Sequence, residues 1–341
     1  MRNLSLFTRL GILLAVIAAI YFVVLSFDSR PEPAANAWAE TTPSSTPRST
    51  STPDPSAEEP PAPAAAAAPS VRTAFNYPAP KPVGGKLRGV VELGASGFNS
   101  FVVRTDARRN WELQKAEFDN SLLMENLASN EEIRRGLRAY IANMLDYGVG
   151  GRDIHFVVSS GALKMAATHR IAKELTQMGY VVNRMTPEKE AALGLSVAMP
   201  APFGERAFVV DIGSGGTEIS WLAEGKPKSV STFGSKYYEY GAADDVVAAD
   251  VKAKAQQVPA KLRQTCFIIG GVPYEMAKQV RQGKERYTVL DMPEAYQFDK
   301  AKSKAGLVIY RSLAEATGCK QFVFDWDANF TIGYLLSLPP Q

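Results

Sequence analysis

The pattern of strand, glycine-rich turn and strand occurs twice in this chain, 119 residues apart, and it limits the possible folds more than any other feature. Leu87 to Leu93 (LRGVVEL) runs into Gly94-Ala95-Ser96-Gly97 and then Phe98 to Arg104 (FNSFVVR). Ala207 to Ile212 (AFVVDI) runs into Gly213-Ser214-Gly215-Gly216 and then Thr217 to Leu222 (TEISWL). An apolar run closed by glycines and followed by a second apolar run predicts a hairpin. Each first strand carries one acid near its end, and the two acids, Glu92 and Asp211, align in the repeat.

The surroundings recur as well. After the first hairpin the apolar spacing predicts a helix over Asn130 to Tyr147, a strand over Asp153 to Ser159 and a helix over Leu163 to Met178. A short strand at Tyr180 to Asn183 and a helix at Glu188 to Ala198, opened by Pro187, complete the first lobe. After the second hairpin come a helix near Ala242 to Ala260, a strand from Cys266 to Ile269 ending in Gly270-Gly271, and a helix over Lys302 to Ala316. A strand over Gln321 to Asp325 and a last helix near Ala328 to Leu336 follow. The prediction is an α/β protein of two similar lobes, 85–203 and 204–341, facing each other across a cleft.

Two lobes do not account for all 341 residues. Leu10 to Phe27 is an 18-residue run without a charged side chain, preceded by Arg2 and Arg9, which is long enough to span a bilayer core. The only small-residue cleavage pattern, Ala35-Asn36-Ala37, lies well past its end, so residues 1–30 read as a retained signal anchor. The arginines before the span place the N-terminus in the cytoplasm and the lobes outside it. Residues 31–84 are rich in Pro, Ala, Ser and Thr, and Pro31 to Pro80 holds 12 of the 22 prolines, a composition that predicts a disordered linker. Its reach lies between roughly 40 Å as a coil and roughly 150 Å as polyproline II.

Other features exclude more than they assign. A net charge of +3 leaves no footprint for nucleic acid. The two histidines, His155 and His169, lack ligand spacing and read as structural. Cys266 and Cys319 are two buried thiols or, in an exported domain, one disulfide.

Paired glycine-rich hairpins with an acid at the same offset suit a chain of phosphates. Glycine lets backbone N–H groups approach anionic oxygens, and two facing acids hold a hydrated Mg²⁺. Four segments then resemble those of the exopolyphosphatase and guanosine pentaphosphate phosphohydrolase family: Val91 to Phe98 (VELGASGF), Ser159 to Lys164 (SSGALK), Glu188 to Ala191 (EKEA) and Val210 to Glu218 (VDIGSGGTE). Their order and spacing agree with the family over nearly all of Gly85 to Leu338. The resemblance implies a duplicated actin-like, ribonuclease H-like fold with its active site between the lobes.

It also implies roles. Glu190 matches the base that activates water against a terminal phosphate. Asp211 would orient Mg²⁺ through water with Glu92 as its counterpart, and the turn Gly213, Ser214, Gly215 and Gly216 would cradle phosphate, with Thr217 and Glu218 supporting it. The first turn, Gly94, Ala95, Ser96 and Gly97, departs from the family: its usual aspartate is Glu92, and a Ser-Asn-Ser run is replaced by Ala95-Ser96-Gly97. Lys164 stands where the family has arginine, which keeps the charge but loses the bidentate fork. The implied function is hydrolysis of terminal phosphoanhydrides of polyphosphate or a phosphorylated guanine nucleotide, with Mg²⁺ as cofactor. The departures at Glu92, Ala95, Gly97 and Lys164 point to a second reading, a non-catalytic phosphate- or nucleotide-binding or scaffold module on a membrane tether. Gly270-Gly271 also resembles the turn that actin-like ATPases and sugar kinases use for adenosine. Partners expected are the phosphorylated substrate and the membrane, with a homodimer compatible and no nucleic acid.

Overall fold

The computed structural model describes residues 75–95, 97–119 and 130–339. The segment read as a membrane anchor lies outside them, and among the described residues no helix is long and apolar enough to cross a membrane.

The first sheet holds β1 (Lys86–Gly94), β2 (Gly97–Thr105), β3 (Trp111–Asp119), β4 (Ile154–Val158) and β5 (Val182–Arg184), in the order β3-β2-β1-β4-β5. The second holds β6 (Ala207–Ile212), β7 (Thr217–Ala223), β8 (Lys226–Thr232), β9 (Thr265–Gly270), β10 (Tyr287–Val289) and β11 (Phe322–Asp325), in the order β8-β7-β6-β9-β11-β10. The first three strands of each sheet are antiparallel neighbours, and β4 and β5 in the first sheet and β9 and β11 in the second run parallel to the first strand of their sheet, while β10 is antiparallel to β11. Apart from the added edge strand β10, the sheets share one topology. The sequence repeat is therefore a repeat of structure, with Glu92 opposite Asn99 in the first hairpin and Asp211 opposite Glu218 in the second.

Alternation along the strands sorts the core into three layers. On one face of the first sheet Val91, Leu93, Phe156 and Val158 pack with Ile133, Leu137 and Met144 of α1 (Asn130–Asp146) and Ile171 and Leu175 of α2 (Ala166–Gln177). On one face of the second, Phe208, Val210, Cys266 and Ile268 pack with α4 (Asp244–Ala255), α5 (Gly271–Val280) and α6 (Ala301–Thr317). The opposite faces, Val90 and Val157 from one sheet and Val209, Phe267 and Ile269 from the other, meet a shared middle layer. That layer is α3 (Pro187–Ala198) and α7 (Phe330–Ser337).

The middle helices exchange lobes. α3 packs on β6, β7 and β8, although it follows the first sheet in sequence, and α7 packs on β1 and β2, although it ends the second. α7 (FTIGYLLS) is apolar all round, as a helix buried between two sheets must be. Arg88 from β1 closes its end, donating to the carbonyls of Leu335 at 2.9 Å and Pro339 at 2.7 Å.

Four elements are absent from the sequence prediction. β3 and β8 are edge strands with a polar face, β10 has three residues, and the start of α5 reads as the turn Gly270-Gly271. Part of the predicted linker is packed: Phe75 lies against Phe203, Phe267 and Tyr287, because aromatic rings interrupt the proline-rich composition there. Cys266 and Cys319 are free and buried, so the disulfide alternative gives way to two thiols, and the Cys319 thiol points to the carbonyl of Gln321. His155 stacks edge-on against Tyr334.

Candidate active site

Four carboxylates converge where the ends of β1 and β6 meet the start of α3. Glu92 lies near the end of β1, Asp211 near the end of β6, Glu218 is the cross-strand partner of Asp211 on β7, and Glu190 lies in the first turn of α3. α3 starts there because Thr186 caps it, accepting from the Lys189 N–H at 3.3 Å, and Pro187 fits the first helical position. Glu92, Glu190 and Glu218 are buried and Asp211 is partly exposed.

Each acid has its own set of donors. Among the described residues the Glu190 carboxylate is held by Ser160, whose main-chain N–H donates to Oε1 at 2.7 Å and whose hydroxyl donates to Oε2 at 2.6 Å. Glu92 Oε2 accepts from the amides of Asn99 at 2.9 Å and Asn329 at 3.1 Å. Glu218 accepts from the Ser231 hydroxyl. Asp211 accepts no hydrogen bond among the described residues, and its Oδ1 lies against Gly270, where a Cβ would come within 3.0 Å.

Proton affinity follows from this packing. Burial pushes Glu190 up to about 7, Ser160 pulls it back in part, and the Glu92 charge adds to the rise. Burial also lifts Glu218 to about 7, against the pull of Ser231 and with the charges of Glu190 and Glu188. Asp211 rises well above the ordinary carboxylate range through burial and the charges of Glu92, Glu190 and Glu218. Glu92 is raised by burial, with Asn99 and Asn329 opposing. Among the described residues no lysine or arginine contributes at any of the four. Among the described residues no three of these side chains form a group that could hold a metal ion directly.

The second glycine turn sits beside the cluster on a support. Ser235 N–H donates to the Gly213 carbonyl at 2.9 Å and Lys236 N–H to the Ser214 carbonyl at 3.0 Å. The support comes so close that a Cβ on Gly234 would lie 2.3 Å from the Gly216 nitrogen. From the other lobe, Gly161 touches the same turn: a Cβ on Gly215 would lie 2.8 Å from the Gly161 Cα and 3.8 Å from the Ala95 Cβ. Thr217 is fully buried and its hydroxyl has no partner among the described residues.

The wider comparison agrees on architecture. No family model matches the chain, and no curated protein matches it. Among solved structures, the PPX-GPPA enzyme of Aquifex aeolicus has a TM-score of 0.56 at 17% identity, over 74% of this chain and 100% of that one. An exopolyphosphatase from Cytophaga hutchinsonii has a TM-score of 0.54 at 12% identity, over 73% and 96%. The chain has the Ppx/GppA fold.

Within this Ppx/GppA fold the sequence-predicted residues divide. Glu190, Asp211 and Glu92 come together, and the turn Gly213 to Thr217 lies beside them. Gly94, Ala95 and Gly97 close the first hairpin, with Gly97 at a φ of 146°, while Ser96 lies outside the described residues. Lys164 is exposed on a short turn before α2 and makes no hydrogen bond or ion pair among the described residues. Sequence reasoning missed Ser160, Asn99 and Asn329 and gave Glu218 only a supporting part. The repeat contained the signal for two of them, since Asn99 and Glu218 hold the same place 119 residues apart. Nothing in the local sequence marks Asn329.

Proposed function

We propose that this chain is a phosphohydrolase that removes the terminal phosphate from polyphosphate or a phosphorylated guanine nucleotide, with Mg²⁺ held through water by Asp211 and Glu92. The observation that carries the reading is Glu190: a buried carboxylate, raised to about 7, beside a cluster of acids that suits a cation and a supported glycine turn. A base whose proton affinity lies near neutral is matched to taking a proton from water. The bound ion would supply charge neutralisation at the phosphate. Glu190 accepts the proton, and the turn Gly213 to Gly216 positions the terminal phosphate. The membrane tether and the placement of the lobes outside the cytoplasm belong to the same proposal. They rest on Arg2, Arg9 and the run Leu10 to Phe27.

A second reading is favoured by one contact. Gly161 and Gly215 meet backbone to backbone beside Ala95, which fits a lobe arrangement kept shut in a binding module that does not turn over. Phosphate release by the full-length chain from polyphosphate and from guanosine pentaphosphate, with Mg²⁺, decides between them. The enzyme reading expects turnover that falls roughly 100-fold or more in Glu190→Gln with little change in KM. Asp211→Asn should weaken Mg²⁺ dependence and rate together. Background-level release by the wild type would leave the binding module.

A further inference from the structure

Glu190 and Ser160, its only side-chain donor among the described residues, pack on different lobes. Glu190 rides on α3, which packs on the second sheet, whereas Ser160 follows β4 of the first sheet, anchored by the Ser159 N–H to the Leu93 carbonyl at 3.1 Å. Both carboxylate oxygens are therefore gripped across the lobe boundary by one residue. Ser160 is also joined to Gly161, the residue in backbone contact with Gly215 of the glycine turn. The grip on the carboxylate and the contact with the turn are made by the same short loop, so a separation of the lobes breaks both.

We propose that Ser160 is the positioning residue for Glu190, setting the orientation of its carboxylate from the opposite lobe and tying that orientation to the approach of the loop to the glycine turn. The inference rests on the reading of Glu190 as the base. The terminal torsion of a glutamate is broad and has no strong preference of its own, so the facing of its free lone pairs is decided by what holds the two oxygens. Two donors on one residue fix that plane, and the remaining lone pairs then face one direction for a proton from water. Among the described residues the charged groups that face Glu190 are Glu92 from β1, Asp211 from β6 and Glu218 from β7, all acids, and Ser160 is the group that favours the ionised form. Removing the hydroxyl leaves the main-chain donor and releases Oε2.

The test uses the full-length chain as wild type, Ser160→Ala, Ser160→Thr and Glu190→Gln, with two readouts. One is steady-state hydrolysis of polyphosphate with Mg²⁺. The other is carboxyl ¹³C NMR of glutamate-labelled protein, in which the Glu190 signal is the one missing from Glu190→Gln. Ser160→Ala should lower kcat roughly 10- to 100-fold with KM within about twofold, and should raise the Glu190 midpoint by about one pH unit. Ser160→Thr, which keeps the hydroxyl, should restore both. An unchanged kcat, an unmoved midpoint, or a threonine variant as impaired as alanine overturns the assignment. Wild type without turnover would fell the phosphohydrolase reading separately, and the midpoint would still decide: movement supports the positioning role, and none refutes it. Ser160→Cys, a weak donor of similar size, gives the same readings should alanine fail to fold.

Discussion

Glu92 shows how a single extra methylene is accommodated. Relative to the aspartate usual in the family it resembles, glutamate carries its carboxylate about one C–C bond further out. In the structure that carboxylate is held by Asn99 from β2 and by Asn329 at the start of α7. Asn329 cannot turn its amide around, because its Oδ1 accepts from the Thr331 N–H at 2.8 Å and the Thr331 hydroxyl at 2.7 Å, which leaves Nδ2 for Glu92. Shortening the side chain withdraws the acceptor from both amides. Glu92→Asp should cost roughly 1–3 kcal/mol in urea unfolding. A double-mutant cycle with Asn329→Ala should show coupling of roughly 0.5–3 kcal/mol. Additive losses would mean that Asn329 serves only as the cap of α7.

At the scale of elements, the exchange of α3 and α7 between lobes is what holds the acids in register. Glu190 is carried by one of these helices and Asn329 caps the other, so their separation sets the spacing of the site. They meet at Gly333, where a Cβ would lie 2.3 Å from the Leu193 carbonyl oxygen. Gly333→Ala must push the helices apart, because both contacting groups are backbone. The expected loss is roughly 1–3 kcal/mol in urea unfolding, with faster amide exchange in α7 than in α1, which lies on the far face of the first sheet. Equal exchange in the two helices would argue against a local separation.

At the scale of the whole molecule, the acid cluster makes stability depend on pH in an uncommon direction. Glu190 and Glu218 sit near 7 in the folded chain against an ordinary value of 4.5, and Asp211 is raised as well. Between about 4.5 and 7 the folded state then binds more protons than the unfolded one, so stability falls as pH rises through that window. In chelator, Tm should rise by a few degrees when pH is lowered from about 7.5 to about 5.5. Glu190→Gln combined with Glu218→Gln should flatten the slope, and Mg²⁺ should raise Tm more at the higher pH. A wild-type Tm that drops over the same acidification would mean that other groups outweigh these carboxylates.

What the sequence determined by itself was the repeat, and through it the paired sheets. A hairpin is a local object: alternation over a few residues and a glycine turn specify it without reference to the rest of the chain. Glu190 and Asp211 were legible because they lie inside segments that resemble a family. The tertiary structure decided what sits around them. Ser160 reaches Glu190 across 30 residues of chain and Asn329 reaches Glu92 across 237, and no window of sequence contains either pair. α3 was legible as a helix, yet its packing on the second sheet depended on apolar faces that only folding brings opposite one another. Lys164, read from the resemblance as a phosphate ligand, stands exposed on its turn. Burial raises the proton affinity of the acids, and burial is a property of the whole packed chain, not of any segment.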